Sequence, residues 1–370
     1  MVNDKQSTDG ATIDLAEVRK EIDSLDLQIQ TLLNARARAA LKVADVKIAE
    51  AQGSPVDFYR PEREAQILKE VARRNEGPMG DTAVQRIFRE IISASLALEE
   101  PMKVAYLGPE GTYCHAASDR HFGHAVNSVP QTGIAEIFHA VESGQTRFGV
   151  VPVENSTEGA VNQTLDLLTQ TSLRVCGEIS LRIQHCLMSQ EQSLDAVDSV
   201  HAHPQALAQC RHWLNANLPN ANRVSQSSNA MAAQLALETP GVAAIAGDTA
   251  ANRYGLNLLM TGIEDEKNNT TRFLIVGDQA VPPSGDDTTL LLFAAPHRPG
   301  GLRRILKPFE ESGVSMTRIE SRPAKAALWE YVFFTNITGH QSDSTLAPVL
   351  DELRELAPLL KVLGSYPRAL

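Results

Sequence analysis

Aromatic residues make up only 5% of the 370 positions, and positive charge is in the minority, with 34 Lys and Arg against 45 Asp and Glu. So few aromatics leave no platform on which bases could stack. A net charge of −11 is the reverse of the basic footprint of a nucleic-acid binder. It leaves room for an anionic small substrate, which a local cluster of cations can hold. Cysteine is scarce: Cys114, Cys176, Cys186 and Cys210 are scattered, with no C-x-x-C pair. Neither a disulfide framework nor a zinc site is implied, and a reducing cytoplasm fits. No run of 18 apolar residues occurs, so no membrane span is expected. The first ten residues, MVNDKQSTDG, are polar and acidic, unlike a secretory signal. A G-x-G-x-x-G fingerprint is also missing, which argues against a nicotinamide dehydrogenase.

The length predicts two or three domains, and the chain falls into three stretches of different pattern. Residues 12–101 read as helical. A first helix from Asp14 to Ala51 carries Val18, Ile22, Leu25, Ile29, Leu32, Ala39, Val43 and Val46 at alternating four- and three-residue spacing, a heptad seam. Arg36 interrupts that seam. Lys47 follows eleven residues on, about 1100° around the axis and so roughly 20° from three full turns. Both cations therefore face the same way, and burying them demands anions. Arg19, about 100° away around the axis, points elsewhere. Gly53, Ser54 and Pro55 end this helix. A second starts near Pro61, with Glu64 on the face of Ile67, Leu68 and Val71, and Arg63 beside it. In the third, the face of Val84, Ile87, Phe88, Ile91 and Ile92 continues through Ser95 and Glu99 before Pro101 stops it. Polar groups on three apolar faces mean either buried salt bridges in a coiled-coil dimer or a site. Their number favours a site.

Residues 103–279 alternate short strands (Lys103–Leu107, Phe148–Val153, Ser199–Ala202, Val242–Ala246, Phe273–Val276) with helices, an α/β pattern. Three turns, Gly108-Pro-Glu-Gly-Thr112, Glu154-Asn-Ser-Thr-Glu-Gly159 and His203-Pro-Gln205, are each expected to follow a strand and open a helix. Such turns usually only cap helices, but their N–H groups also suit carboxylates. Three together suggest a two-lobed binder of an anionic metabolite. Asn269-Thr-Thr-Arg-Phe273 leads into the apolar run FLIVG. His115, His201 and His203 lie on separate elements without a carboxylate pattern, so no metal is expected. Residues 282–287 form a linker. Residues 288–366 then read as βαββαβ: strand Thr288–Ala294, helix Leu302–Ser312, strands Val314–Ser321 and Trp329–Ile337, helix Thr345–Ala357 and strand Leu359–Gly364. The unit carries Gly300-Gly-Leu302 after Pro299, and Glu320-Ser-Arg-Pro323. Glycines at that turn let a ligand approach the backbone.

On these residues, 12–100 resemble the all-helical chorismate mutase domain, Lys103 to about Gly277 a prephenate dehydratase, and 288–366 an ACT regulatory domain. The whole chain resembles the bifunctional chorismate mutase/prephenate dehydratase family. The resemblance implies a multidomain architecture: an all-α mutase, a two-lobed α/β dehydratase like periplasmic binding proteins, and a βαββαβ ACT unit. It implies a homodimer without cofactors that takes chorismate and prephenate and is inhibited by phenylalanine. Arg36, Lys47, Arg63, Glu64 and Ser95 would occupy mutase positions, and Arg19 would come from the partner of an intertwined dimer. Glu99 stands where some members carry Gln and would donate to the ether oxygen only when protonated. Arg60 or Asp57 corresponds to an Asp of other members. A pericyclic shift needs no nucleophile, only clamped carboxylates and donors for developing charge. In the dehydratase, Thr271 would assist hydroxyl loss coupled to decarboxylation. Glu154, Asn155 and Gln209 would line its cleft, Arg272 would orient substrate, and Phe273 completes the motif. Ala202 replaces a Ser of some members. Gly300, Gly301 and Leu302 with Glu320, Ser321, Arg322 and Pro323 would form the phenylalanine site, Gly301 standing for a more usual Ala. Rival readings are a metabolite sensor on a helical stalk, and a dehydratase with a decayed mutase or a preference for arogenate.

Overall fold

The computed structural model describes residues 14–54, 56–323 and 331–369. Pro55, Trp329 and the first ten residues, named above, lie outside them. The helical stretch is α1 (Leu15–Ala51), α2 (Pro61–Arg73) and α3 (Asp81–Glu99). Asp14 caps α1 by accepting from Ala16 N at 2.9 Å, and Gln52, at φ 47°, ends it in the left-handed region. Pro61 takes the first position of α2, where no N–H is needed. Both α1 and α2 pack on α3. The heptad seam of α1 is nevertheless open to solvent: Ile22, Leu25, Ile29 and Leu32 are 48–69% exposed.

The first lobe of the α/β stretch contains β1 (Lys103–Leu107), α4 (Tyr113–Phe122), β2 (Asn127–Gln131), α5 (Ile134–Glu142), β3 (Phe148–Asn155), β4 (Gly159–Ala160), α6 (Asn162–Gln170) and β5 (Arg174–Arg182). The second contains β6 (Cys186–Ser189), β7 (Ser199–Ala202), α7 (Pro204–Gln209), α8 (Arg211–Asn217), β8 (Asn222–Ser225), α9 (Asn229–Glu238), β9 (Val242–Ala246), α10 (Asp248–Tyr254) and β10 (Asn257–Thr261). Then β11 (Thr270–Gly277) returns to the first lobe and inserts between β3 and β5. The first sheet runs β2-β1-β3-β11-β5, and the second β10-β6-β9-β7-β8. The chain thus crosses between lobes twice, at 183–185 and 262–269. The two crossings are tied by Ile183 N to Asn269 O at 2.8 Å and Ile263 N to His185 O at 3.0 Å.

Strands β7 and β9 have the expected bounds, whereas β2, β5, β6, β8 and β10 were not anticipated. Strand β8 is exposed throughout and β2 is a polar edge, so neither carries an apolar alternation. The Glu154–Gly159 turn also differs from expectation. It folds β3 back on β4, with Gly159 at φ 81°, before α6 begins.

The last stretch is β12 (Asp287–Ala294), α11 (Gly301–Glu311), β13 (Met316–Pro323), β14 (Tyr331–Thr338), α12 (Ala347–Leu356) and β15 (Leu359–Pro367), in the sheet order β13-β14-β12-β15. The strand pleat divides β12 between two cores. Leu291 and Phe293 face α11 and α12, while Leu290 and Leu292 share a core with Val151, Leu274 and Val276 of the first lobe. The βαββαβ sheet therefore stacks on one face of the first lobe. The helical stretch docks on the other face, where Tyr59 is buried against Phe122 and Phe148, each ring centroid 5.3 Å away.

Candidate active sites

Arg36 and the end of α3 build the first polar cluster. Arg36 donates to Ser95 Oγ at 2.6 Å, and Ser95 in turn donates to Ile91 O at 2.7 Å. Lys47 donates to Phe58 O at 3.2 Å and Asp57 O at 3.3 Å, using two of its three N–H bonds. Burial pushes the Glu99 carboxyl above the usual range, while Lys47 and then Arg36 pull it back. Arg36, Lys47, Ser95 and Glu99 are thus together, the two helical pairs brought into one cluster by the packing of α1 on α3. Asp57 meets the cluster through its backbone carbonyl, because its carboxylate pairs with Arg147.

The other expected members lie apart from that cluster. Arg19 is exposed and Arg63 points outward from α2. Arg60 pairs with Glu62. Glu64 is buried, but Arg89 of α3 holds it at 3.2 Å, and both line a cavity of about 530 Å³ bordered by α4 and His121. Within this one chain Arg63 and Glu64, expected at mutase positions by resemblance, therefore do not meet Arg36. The face of α2 that carries Glu64 turns toward α3 and the first lobe rather than toward Arg36.

The second cluster sits where β3 ends and β11 begins, beside the crossing at 262–269. Asn155 Nδ2 donates to Thr271 Oγ1 and to Asn269 Oδ1, both at 2.8 Å. Its Oδ1 accepts from Thr157 N at 3.0 Å and Glu158 N at 3.2 Å, which pins the β3–β4 turn. Both Asn155 amide hydrogens are used, so Thr271 is the acceptor, and its own proton has no acceptor among the described residues. A bulge makes this pairing possible: Phe273 pairs with Pro152 but Arg272 with Glu154, leaving Val153 as the extra residue. Gln209 ends α7 on the second lobe, with Oε1 2.8 Å from His185 Nε2. His185, a single histidine in an apolar run, carried no signal in the sequence.

Three expected cleft residues face elsewhere. Phe273 is 1% exposed and belongs to the first-lobe core beside Ile179 and Ile275. Arg272 lies on the opposite face of β11 from Thr271, because successive side chains alternate. It donates to Glu178 Oε2 at 2.9 Å and to Asn336 Oδ1 at 3.1 Å, against the C-terminal sheet. Glu154 follows it there and pairs with Arg318. The unexpected partners Glu178, Arg318, Asn336 and Tyr366 thus join the first lobe to the C-terminal sheet.

In the C-terminal unit, Gly300 takes φ 75° ahead of α11. A Cβ at Gly301 would come within 2.1 Å of Pro296 O, so this turn has no room for alanine. Leu302 packs against the core under α11 and α12. Glu320 lines a small cavity with Glu154 and Arg272, and Ser321 and Pro323 are exposed. Arg322 pairs with Asp166 at 2.9 Å and donates to Asn162 O at 3.1 Å on α6. Among the described residues no hydrogen bond or ion pair joins the Gly300 turn to the Glu320–Pro323 motif. His115 stacks on Tyr106, His201 meets Ser199 and Gln226, and His203 caps α7, so each ring has a structural partner.

Comparison with known proteins gives three consecutive family matches: chorismate mutase type II over residues 18–100, prephenate dehydratase over 104–281 and ACT domain over 289–355. A bifunctional chorismate mutase/prephenate dehydratase of Stutzerimonas stutzeri is 49% identical over 357 residues, 96% of this chain and 98% of that protein. Among solved structures, the prephenate dehydratase of Arthrobacter aurescens in complex with L-Phe is 35% identical with a TM-score of 0.66, covering 72% of this chain and 90% of that one. A structure described as a quorum-quenching acylase, GqqA, is 30% identical with a TM-score of 0.66, covering 72% and 97%.

Proposed function

The chain belongs to the bifunctional chorismate mutase/prephenate dehydratase family, and from that premise we propose how its two polar clusters divide the work. Chorismate rearranges to prephenate at the α1–α3 cluster, and prephenate becomes phenylpyruvate at the Asn155–Thr271 pair. The observation that carries this reading is the separation of the two. Arg36, Lys47, Ser95 and Glu99 meet in the helical stretch, and the Thr271 hydroxyl accepts from Asn155, which also holds Asn269 on the crossing between the lobes.

In the mutase, Arg36 clamps a carboxylate in the reactive conformer. Lys47 has a third N–H with no partner among the described residues, and Glu99, whose carboxyl burial pushes above its usual range, supplies in its protonated form a second donor to the ether oxygen as charge grows there. Arg19 lies seventeen residues before Arg36, about 26 Å along the same helix, so a second copy must deliver it. The exposed stripe of Ile22, Leu25, Ile29 and Leu32 supports a homodimer built on α1.

In the dehydratase, the carboxylate on the ring leaves as carbon dioxide. Its electron pair forms the new ring π bond and expels the C4 hydroxyl as hydroxide. The free proton of Thr271 hydrogen-bonds to that departing oxygen and lowers its charge. Asn155 fixes the hydroxyl, and Gln209 contacts the substrate from the second lobe. Phenylalanine binds where the Gly300–Leu302 turn of one copy meets the Glu320–Pro323 motif of another, and it inhibits. Among the described residues no helix is long and apolar enough to cross a membrane, and the four buried free cysteines support a cytoplasmic enzyme.

Incubating the purified chain with chorismate tests this. Ultraviolet absorbance should show chorismate consumed and phenylpyruvate formed, with less phenylpyruvate when phenylalanine is added. Chorismate left unconsumed would favour a dehydratase alone, and no turnover of either substrate would favour a sensor.

A further inference from the structure

Both chain crossings between the lobes pass His185. Only 2% of it is exposed, its backbone N–H donates to Glu264 Oε2 at 2.8 Å, and its carbonyl accepts from Ile263 N. Its ring reaches to both sides of the cleft. Nδ1 lies 3.0 Å from the Tyr113 hydroxyl at the start of α4 in the first lobe, and Nε2 lies 2.8 Å from Gln209 Oε1 in the second. The Tyr113 and His185 rings meet edge to face, 5.8 Å apart. Room for Tyr113 depends on Gly247, where a Cβ would sit 3.0 Å from the ring.

We propose that His185 is a positioning residue of the dehydratase centre: it clamps the Gln209 side chain across the hinge so that the amide N–H groups face the substrate. This rests on the reading of Gln209 as a substrate contact. Burial pushes the imidazole below its usual range, with Gln209 and Glu264 opposing, so the ring is neutral and carries one N–H. Facing a carbonyl oxygen, Nε2 holds that proton and Nδ1 is the acceptor. Tyr113 shares its one proton between Nδ1 and Gln184 O, the latter 2.9 Å from the hydroxyl, and the relay proper runs from His185 Nε2 to Gln209 Oε1. It ends at an amide nitrogen that has no partner among the described residues, a donor suited to the oxygens of a dicarboxylate. A glutamine left to itself spreads over several rotamers and presents either end of its amide. One held by its oxygen presents only N–H.

The test is a double-mutant cycle on the full-length enzyme. His185→Phe keeps the ring volume and removes the N–H, and should lower dehydratase kcat/KM by about 10- to 100-fold. His185→Gln restores an N–H near Nε2 and should recover most of that loss. Mutase turnover should stay unchanged in both. In a Gln209→Ala background the His185→Phe loss should disappear, and so should the smaller loss from Tyr113→Phe, which removes one oxygen and decides the matter if His185→Phe fails to fold. Losses that add fully to that of Gln209→Ala would overturn the relay while leaving Gln209 as a substrate contact. An unimpaired Gln209→Ala enzyme would overturn the reading of Gln209 itself, and the relay with it.

Discussion

Adjacent residues on β11 serve opposite faces of one sheet. Thr271 meets Asn155 at the cleft, and Arg272 meets Glu178 beneath the C-terminal sheet. Thr271→Ala should therefore abolish phenylpyruvate formation while chorismate is still consumed, so that prephenate accumulates in a chromatographic assay. Arg36→Ala should show the mirror image, lowering mutase turnover by about 10²–10³ with prephenate turnover intact. Equal loss of both would make Arg36 a folding residue. Glu99 adds a pH dependence. Its pKa is raised, and on the proposed donor role only its protonated form is active, so mutase activity should fall as pH rises through that pKa. Glu99→Gln should flatten this alkaline fall and leave the dehydratase profile unchanged. Much at this scale was legible: helical spacing set Arg36 beside Lys47 on one helix and Ser95 beside Glu99 on another, and the family resemblance brought the two pairs together. The orientation of Glu154 and Arg272 was not, since one residue of slip in a strand reverses every side chain.

The bulge at Val153 is the element that decides which residues reach the cleft. With regular pairing, Asn155 would turn away from Thr271, and Glu154 would leave the Arg272 side. The ion pair of Arg272 with Glu178 is 12% and 15% exposed, which predicts a large effect on stability. Glu178→Ala leaves the guanidinium only the more distant Glu154, at 4.0 Å, as an ionic partner, and should destabilise the chain by up to about 3–5 kcal/mol, read as a lower midpoint in denaturant. Replacing both partners by leucine should lose less. Strands with apolar runs, such as β7 and β9, were visible in the sequence. Those at sheet edges were not, because solvent on one or both faces removes the alternation that marks a strand.

For the whole molecule, the order of three units could be read from changes of pattern along the chain, but not how they stack. Nothing in the sequence announces that Tyr59, in the loop between α1 and α2, is buried in the first-lobe core, or that Tyr366 donates to Glu178 at 3.4 Å. The open seam of α1 carries the prediction at this scale. Ile29→Asp with Leu32→Asp should halve the mass in sedimentation and remove mutase activity, leaving prephenate turnover in place. The return of β11 to the middle of the first sheet has a consequence during synthesis. A ribosome releases β3, which ends at Asn155, and β5, which ends at Arg182, long before the strand that joins them begins at Thr270. Throughout that interval the nascent first lobe has two raw edges, each able to pair with a neighbouring chain. The second lobe must therefore be made while the first is unfinished, and a messenger truncated before Thr270 should yield protein that chaperones hold or that aggregates.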